Sequence, residues 1–337
     1  MSGRPPFSSL PYRPGDPPFS AWGLYGPDDE LGALNLLTPE RTVEAANEIQ
    51  TGVRVSMDPP VNKLIIPTHG RHALKQTIFQ RGAGRPVHDD ELSFNTQIGP
   101  QWDGFRHLTY LDGRKFYNGT VLDGVNDDGK ITAAGTVTQK LGTHVWVQNG
   151  GIAGRGVLLD YYSWAVSQGK EYELIGDKAN YAITVEELKA VAKAQAVEIR
   201  PGDLLLVRSG FWVGYDRLSD EEKLTFSHQE PTVWVGVETT RAMAEWLWDS
   251  GIVAGAGDAP GWERIPNYNS PPEAGLQGRS LHEIMLGGWG MPIGEMFDLE
   301  RLSEECKKQK RWSFFVTSAP LHIIGGVGSP PNILAIF

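Results

Sequence analysis

The stretch RPGDLLLVRSG, residues 200–210, decides the class of fold. Its central apolar run is flanked by glycines, a pattern typical of a short strand that is buried on both faces. A second run of this kind, RGVLLDYY, lies at 155–162, and between the two runs TVEELKAVAKAQAVE at 184–198 predicts a helix. That helix opens with a capping box formed by Thr184 and Glu187. A strand, a helix and a strand in this order favour an α/β domain.

The alternation of helices and strands continues toward the C-terminus. VETTRAMAEWLWDSG at 237–251 predicts a helix that ends at a glycine, and IVAGAGDAP at 252–260 predicts a strand that runs into a loop. DLERLSEECKKQKR at 298–311 predicts a last helix, capped by Asp298, and WSFFVTSAPLHI at 312–323 predicts a last strand.

The N-terminal half has a different pattern. LTPERTVEAANEIQTG at 37–52 predicts a helix that is opened by Thr-Pro and ends before Gly52. Residues 53–156 show strand-like alternation broken by glycines. Residues 1–20 are rich in Pro and Gly, so we expect an extended arm rather than a packed element. The rest, 21–337, is expected to form a single α/β domain, strand-rich in its first half and alternating in its second.

Composition limits the partners and the compartment. The chain has 337 residues with 31 basic and 41 acidic side chains, a formal charge of −10. This acidic balance argues against nucleic acid or an anionic membrane as a partner. No apolar run approaches the roughly 20 residues of a membrane span, and the N-terminus has no apolar signal segment. We therefore expect a cytoplasmic protein. Cys306 is the single cysteine, which excludes an internal disulfide and a zinc site built from several thiolates.

Polar residues recur at short intervals in FNTQIGPQWDGFRHLTY, residues 94–110. Gln97, Gln101, Asp103 and His107 supply amide oxygens, a carboxylate and an imidazole, which are suitable metal ligands or acid–base groups. If this stretch is a strand, the first three point to one side, and a loop brings the histidine back toward them. A surface strand with its polar residues in water would give the same pattern.

A second group of polar residues lies far downstream. Ser280 and Glu283 form a predicted capping box, which places His282 in the first turn of a helix. Glu295 follows in GGWGMPIGEMFDL after a glycine-rich turn. A histidine at a helix start is commonly a surface or capping residue, so these residues alone leave its role open.

From about Trp22 to the C-terminus, the chain resembles the metal-dependent "cyclase" hydrolases, which include bacterial kynurenine formamidase and isatin hydrolase. The resemblance lies in the segment from His282 to Glu295 and in four further stretches, WGLYGPDDELGALNLLTPE, GGIAGRGVLLDYY, RPGDLLLVRSG and FFVTSAPLHIIGGVGSPPNILAI. It implies a swivelling β/β/α fold, a divalent metal and a homodimer or homotetramer.

The central motif of this family is H-x-G-T-H-x-D-x-P-x-H. Gln97 and Gln101 stand where its first two histidines would be, Asp103 keeps the aspartate, Phe105 replaces the proline, and His107 keeps the catalytic histidine. The resulting pattern, Q-x-x-x-Q-x-D-x-x-x-H, is similar to the branch typified by trans-dienelactone hydrolase, which opens a lactone.

The resemblance implies a site in which metal-activated water attacks the substrate and His107 is the general acid/base. One divalent cation is expected because the site has two carboxylates. Zinc is expected from the resemblance and manganese next, because the ligands are rich in oxygen. The implied metal ligands are Gln97, Gln101, Asp103, His282 and Glu295.

Several other side chains are candidates for the walls of a substrate pocket, although aromatic residues mostly fill cores. Arg106 is a candidate for binding a substrate carboxylate, unless its position turns it outward. Asp258 and Glu263 either line the pocket or pair with arginines. The expected substrate-binding residues are Trp22, Tyr25, Trp102, Phe105 and His228.

Two further histidines are set aside. His144 belongs to a literal Gly-Thr-His, but Trp146 stands where the family has its aspartate, so we expect a core or pocket histidine in a strand. His88 lies in a hydrophilic stretch that predicts a solvated turn.

Three functions compete at this point. The first is a metal-dependent hydrolase that opens a lactone, a small cyclic ester. The second keeps the fold and the metal but hydrolyses an amide or imide. The third is a homologue that has lost the metal and only binds a small molecule, which the loss of two histidines would explain.

Overall fold

The computed structural model describes residues 3–82, 84, 86–111, 113–121, 139–228, 233–265 and 274–337, and the following strands lie within them. The strands are β1 (Arg54–Ser56), β2 (Lys75–Gln80), β3 (His88–Ser93), β4 (Gln101–Asp103), β5 (Ile152–Leu159), β6 (Ala182–Ile183), β7 (Leu204–Val207), β8 (Gly236–Val237), β9 (Ala254–Gly257), β10 (Ile293–Glu295), β11 (Ser313–Ser318), β12 (Gly328–Ser329) and β13 (Ile333–Ile336).

Nine of these strands form one mixed sheet in the order β1-β13-β11-β5-β7-β9-β10-β4-β12. The four central strands, β5, β7, β9 and β10, are parallel, whereas β11, β13 and β1 on one side and β4 and β12 on the other are joined by antiparallel pairing. The pairs β2–β3 and β6–β8 form two small separate sheets. This architecture confirms the predicted α/β class.

Helices connect the strands of the second half, as predicted. The α-helices are α1 (Pro39–Ala45), α2 (His144–Gln148), α3 (Tyr161–Ser167), α4 (Val185–Ala194), α5 (Phe211–Tyr215), α6 (Asp220–Ser227), α7 (Arg241–Asp249) and α8 (Glu300–Gln309). A π-helical segment spans Glu283–Trp289, and short 3-10 helices span Phe7–Ser9, Gly32–Leu36, Ala46–Glu48, Thr68–Gly70 and Tyr117–Gly119. None of the helices described is long and apolar enough to cross a membrane.

Local capping explains where helices begin better than where they end. The capping box of Thr184 and Glu187 is present at α4, and Thr240 caps α7. The helix predicted over 37–52 is shorter than expected, because α1 tightens into a 3-10 turn after Ala45. The last helix, α8, begins after Leu299, one residue later than predicted, but Asp298 Oδ1 still accepts the backbone N–H of Glu300 at 3.2 Å.

The sheet separates two hydrophobic cores because neighbouring side chains of its central strands point in opposite directions. In β5, Val157 and Leu159 pack into one core, and Leu158 packs into the other. In β7, Leu205 packs into the same core as Val157, and Leu206 packs into the same core as Leu158. β7 is therefore apolar along its whole length and β5 is apolar from Gly156 to Leu159, as the RGVLLDYY and GDLLLVRSG runs predicted.

The N-terminal segment, predicted as an arm that does not pack, is instead attached to the body of the protein. Phe7 and Phe19 are buried and stack with ring centroids 5.5 Å apart. Trp289 packs edge-on against Phe7, and its indole N–H donates to the carbonyl oxygen of Phe19. The segment therefore packs, contrary to the prediction, because Phe7 and Phe19 are shielded from water only when they contact the core.

Candidate metal centre

Two neighbouring antiparallel strands carry the polar residues of the candidate centre. In the pairing of β4 with β10, Gln101 lies opposite Glu295 and Asp103 lies opposite Ile293. Gln101 and Asp103 are two residues apart and point to the same face of the sheet. Trp102, between them, points to the other face, where its ring packs edge-on against Phe297 at 5.1 Å.

Two glutamine amides hold one oxygen of Asp103. Gln97 lies in the turn before β4 rather than in a strand, and its Nε2 donates to Asp103 Oδ1 at 2.5 Å. Gln101 Nε2 donates to the same oxygen at 3.2 Å and to Glu295 Oε2 at 2.7 Å. Gly328 of β12 leaves room for this arrangement, since a Cβ atom there would lie 2.9 Å from Gln97 Cγ.

His282 reaches the centre from the helical turn before the π-helical segment. Its backbone N–H donates to Glu263 Oε1 at 3.1 Å, and its Nδ1 lies 2.5 Å from Glu263 Oε2. Its Nε2 lies 2.9 Å from Glu295 Oε1 and 3.8 Å from Asp103 Oδ2. Glu263 therefore fixes the imidazole from behind, and Nε2 points toward the two carboxylates.

Buried carboxylates surround this histidine and shift the ionisation of the group. Burial raises the pKa of Glu295 to about 7, and the nearby charge of Asp103 contributes. Burial by itself would lower the pKa of His282, but the carboxylates of Glu263 and Glu295 raise it well above its usual value. Glu263 shows the complementary effect: burial opposes ionisation, but the charge and hydrogen bonds of His282 lower its pKa.

The donor set fits one divalent cation. Ligand atoms of Asp103, His282 and Glu295 all lie within 4.8 Å of one another. Metal–ligand bonds of roughly 2.0–2.2 Å for nitrogen and oxygen would span such a triangle with small adjustments. In the described part of the chain, two buried oxygens at this point have no hydrogen-bond partner, Asp103 Oδ2 and Gln101 Oε1. Unsatisfied buried acceptors are costly in a folded protein unless a cation or a water is bound there.

His107 returns to the centre through a tight turn, in which its N–H donates to the carbonyl oxygen of Gly104. Its Nδ1 lies 3.0 Å from Gln97 Nε2, and its Nε2 lies 3.9 Å from Asp103 Oδ2. Because an amide nitrogen only donates, Nδ1 accepts, and the neutral ring carries its proton on Nε2. Burial lowers the pKa of His107, although Asp103 opposes this, so the imidazole is neutral at pH 7.

A cavity of about 470 Å³ opens beside these groups. Its polar wall contains His107, His282, Glu263 and Glu295. The remaining lining is largely apolar and aromatic, with one cation, and consists of His69, Arg71, Leu108, Leu111, Trp234, Pro260, Gly261, Ile265 and Ser280. A mostly apolar pocket with convergent polar groups at one end is typical of a small-molecule site.

The five residues expected to bind substrate do not line this cavity. Trp102 and Phe105 are fully buried in the core, Phe105 against the rings of Tyr117 and Trp146. The Trp22 indole N–H donates to the carbonyl oxygen of Gly287.

Tyr25 and His228 also lie elsewhere. The Tyr25 hydroxyl accepts a hydrogen bond from Arg4 Nε. His228 is exposed at the end of α6, where its Nδ1 lies 2.8 Å from the carbonyl oxygen of Leu224. The aromatic wall comes instead from Trp234 and His69, whose rings meet edge to face at 5.7 Å.

Other candidate residues have structural roles. Arg106 is buried, and it donates to the carbonyl oxygen of Gly325 rather than lining the cavity. Asp258 does not line the cavity, and its carboxylate accepts four hydrogen bonds from Ser209, Gly210 and Phe211. Among the described residues, no arginine lies within salt-bridge distance of it. Glu263 lines the cavity and contacts His282, as described above.

The two histidines that were set aside also lie outside the cavity lining. His144 is buried as expected, but it begins helix α2 and not a strand, and its Nδ1 accepts from the N–H of Gly325. His88 begins the exposed strand β3, where a solvated turn was expected.

Arg71, His69 and Trp234 also line the cavity, although no residue pattern in the sequence indicated them. His69 lies in the 3-10 turn Thr68–Gly70, Arg71 follows it, and Trp234 forms an isolated β-bridge with Ile265; only the folded chain brings them to the cavity. Gln97 and Gln101 are at the centre, but they present amide nitrogens to Asp103, so metal ligation through their oxygens stays a prediction.

Comparisons with known proteins agree with this fold. The family model described as "Putative cyclase" matches residues 42–264. A solved structure described as a novel cyclase is 29% identical, with a TM-score of 0.77 over 94% of this chain and 99% of that one. No curated protein sequence matches the chain.

Two isatin hydrolases share the fold at lower identity. Isatin hydrolase A from Labrenzia aggregata, bound to benzyl benzoate, is 13% identical, with a TM-score of 0.56 over 86% of this chain and 94% of that one. Isatin hydrolase A from Ralstonia solanacearum is 17% identical, with the same TM-score over 88% and 97%. The family match covers more than half of the chain, and the chain therefore belongs to the cyclase family.

Proposed function

We propose that the protein is a metal-dependent hydrolase that opens a small cyclic ester. The observation that carries this proposal is the buried group of Asp103, His282 and Glu295, which lies beside His107 at the end of an apolar cavity. Membership of the cyclase family supports it. An amide or imide is the alternative substrate, in the manner of the isatin hydrolases whose fold the chain shares.

Asp103, His282 and Glu295 would hold the metal, with Gln97 and Gln101 as further candidate ligands after rotation of their amides. Bound there, a divalent ion would supply Lewis-acid chemistry and lower the pKa of a coordinated water from about 15.7 to about 7. Zinc is our first candidate because one imidazole and two carboxylates suit it, and manganese is the second.

Glu263 prepares His282 for this role. Its carboxylate accepts a hydrogen bond from Nδ1, so Nε2 points toward Asp103 and Glu295, and a metal bound there would replace the Nε2 proton and use the lone pair of that nitrogen. A carboxylate behind a ligating histidine typically orients the ring and makes it a stronger donor. Glu263 is thus a positioning residue for the proposed metal ligand.

His107 is the proposed general acid/base. Gln97 occupies its Nδ1, so Nε2 is the nitrogen that can exchange a proton with water or substrate. In this arrangement Nε2 of the neutral ring carries the proton, so it cannot accept one from water; donation to the leaving oxygen requires the imidazolium that forms once Nε2 has taken the proton of the attacking water. To accept a proton first, the ring needs the other tautomer, and Gln97 must then turn its amide oxygen toward Nδ1.

A cyclic ester is favoured over an amide by the leaving group. The departing alkoxide or enolate of a lactone needs less protonation than the nitrogen of an amide. His107 is the residue placed to protonate it, and lowering of the pKa of His107 keeps the imidazolium scarce at pH 7. A reaction that depends less on prior protonation therefore suits this site.

A substrate panel with metal control tests the proposal. Small lactones, formanilides and cyclic imides are offered to the protein as purified, after chelation, and after reloading with Zn²⁺ or Mn²⁺. We expect lactone opening that disappears on chelation and returns with one equivalent of metal. Full lactone turnover in demonstrably metal-free protein would refute the metal dependence. Faster turnover of imides would instead select the alternative substrate, and metal-free binding without turnover would favour the non-catalytic homologue.

Two further expectations remain proposals. We infer a homodimer or homotetramer from the family resemblance, and a cytoplasmic location from the composition of the chain. Size-exclusion chromatography with light scattering tests the first, and cell fractionation tests the second.

A further inference from the structure

Arg71 is the one cation that the described cavity lining contains apart from its histidines. It follows the 3-10 turn Thr68–Gly70, and its Nη1 donates to the carbonyl oxygen of Gln97 at 2.6 Å. Within the described ranges, no carboxylate lies within salt-bridge distance of its guanidinium. A guanidinium has five N–H donors, so this one hydrogen bond leaves donors for a further acceptor.

Arg71 shares a cavity with the candidate metal centre. Arg71, His107 and Glu295 line the same cavity. The cation is therefore close to the candidate metal centre, but no ligand atom of that centre neutralises it directly.

An apolar slot completes this part of the cavity. His69 adopts a left-handed conformation with φ of 59°, and its ring meets Trp234 edge to face. Pro260 and Ile265 add aliphatic surface to the same lining. This apolar and aromatic surface and Arg71 line the same cavity, which suits a planar ring that carries a charged group.

We propose that Arg71 binds an anionic group of the substrate, which makes the substrate class a ring compound that carries a carboxylate. This inference rests on the proposed function, since it specifies the substrate of the same site. Arginine suits the role because its planar fork matches a carboxylate with two parallel hydrogen bonds. In a cavity with apolar walls, such a charge-assisted contact discriminates strongly against a neutral analogue of the same shape.

Equilibrium binding of two matched probes tests this assignment without any turnover. trans-Cinnamate carries the ring and the carboxylate, and trans-cinnamamide replaces the carboxylate by a neutral amide of similar shape. Isothermal titration calorimetry measures both probes on the wild-type protein, Arg71→Gln and Arg71→Lys. Arg54→Gln, an exposed arginine on β1, is the matched control. Each titration is repeated after chelation, since a carboxylate can also bind a metal.

We expect cinnamate to bind the wild-type protein and Arg54→Gln equally, and Arg71→Gln to bind it about 10- to 100-fold more weakly. Arg71→Lys should retain part of the affinity because it keeps the charge but not the fork. Cinnamamide should bind the wild-type protein and Arg71→Gln within about twofold of each other.

Two results would overturn the assignment. If Arg71→Gln weakens both probes alike, Arg71 only supports the loop through Gln97. If cinnamate affinity is insensitive to Arg71→Gln and disappears on chelation, the carboxylate binds the metal instead. Because no turnover is needed, a failure to hydrolyse lactones would refute the proposed reaction and leave this binding result standing.

Discussion

Replacing Glu263 by glutamine isolates the contribution of the residue behind His282. The substitution keeps the size of the side chain and one oxygen acceptor, but it removes the negative charge. Glu263 lies 2.5 Å from Nδ1 of His282 and also accepts its backbone N–H at 3.1 Å. It is 3% exposed, so water cannot replace the lost interaction. In the variant, either the nitrogen or the oxygen of the introduced amide can face Nδ1 of His282. The variant therefore favours less strongly the tautomer of His282 in which Nε2 is free to bind the metal.

The expected loss follows from this geometry. Removing a carboxylate behind a ligating histidine typically weakens metal binding about 10- to 100-fold, or about 1.4–2.7 kcal/mol. We expect a loss of this size because the contact between Glu263 and His282 is short, buried and charge-assisted. We expect the variant to bind one equivalent of metal with this reduced affinity.

Competition against a chelator of known affinity measures the effect for Zn²⁺ and Mn²⁺. Glu187→Gln is the matched control, because Glu187 is also a buried carboxylate but contacts Tyr161, Tyr181 and Thr184 away from the centre. It should reduce the free energy of unfolding and leave the metal affinity unchanged. If Glu263→Gln binds metal as tightly as the wild-type protein, Glu263 does not position a metal ligand. If Glu187→Gln loses as much affinity as Glu263→Gln, the loss reports general destabilisation.

Two further predictions concern catalysis and pH. His107→Ala should reduce kcat/KM for lactone opening about 10²- to 10⁴-fold and leave the amount of bound metal unchanged. Steady-state kinetics and elemental analysis measure the two quantities, and a loss of kcat/KM below tenfold would show that His107 is not the general acid/base. Asp203 is buried beside Arg155, and burial raises its pKa to about 6. The folded state therefore holds a proton that the unfolded state, with a pKa of about 3.9, has released, so the contribution of Asp203 to the free energy of unfolding should fall by about 2 kcal/mol as the pH rises from 4 to 7. Urea unfolding of the wild-type protein and Asp203→Asn across this range measures the difference, and a constant difference would contradict the shift.

The fold was predictable where local chemistry decides the structure. The apolar runs of β5 and β7 have no polar face and must be buried, and the capping box of Thr184 and Glu187 starts α4 as expected. Positions that depend on distant packing were harder to predict. The helix from Pro39 is shorter than its pattern suggested, and the N-terminal phenylalanines pack against a segment more than 250 residues away.

The candidate site was likewise predictable only in part. Residue types and spacing suggested Asp103 and His107, the family resemblance added His282 and Glu295, and the structure brings these four together. The alternation that places Gln101 and Asp103 on one face already excluded Trp102 from it, so its assignment to the pocket conflicted with the strand prediction itself.

Arg71, Trp234 and His69 had no comparable signal. They come from a short 3-10 turn with the residue after it and from an isolated β-bridge, which are far apart in sequence and meet only in the folded chain. For the same reason, the spacing of Gln97 and Gln101 could not reveal that their amides donate to carboxylates in this structure.

Anomalous diffraction from crystals grown with one equivalent of Zn²⁺ or Mn²⁺ most directly tests the idea that three distant side chains share a cation. We predict one dominant peak, roughly 2.0–2.3 Å from Asp103 Oδ2, His282 Nε2 and a carboxylate oxygen of Glu295. The same map would show whether Gln97 and Gln101 turn their oxygens toward the metal. A bound metal located elsewhere, or crystals of fully metal-loaded protein with no peak between these three residues, would contradict the assignment.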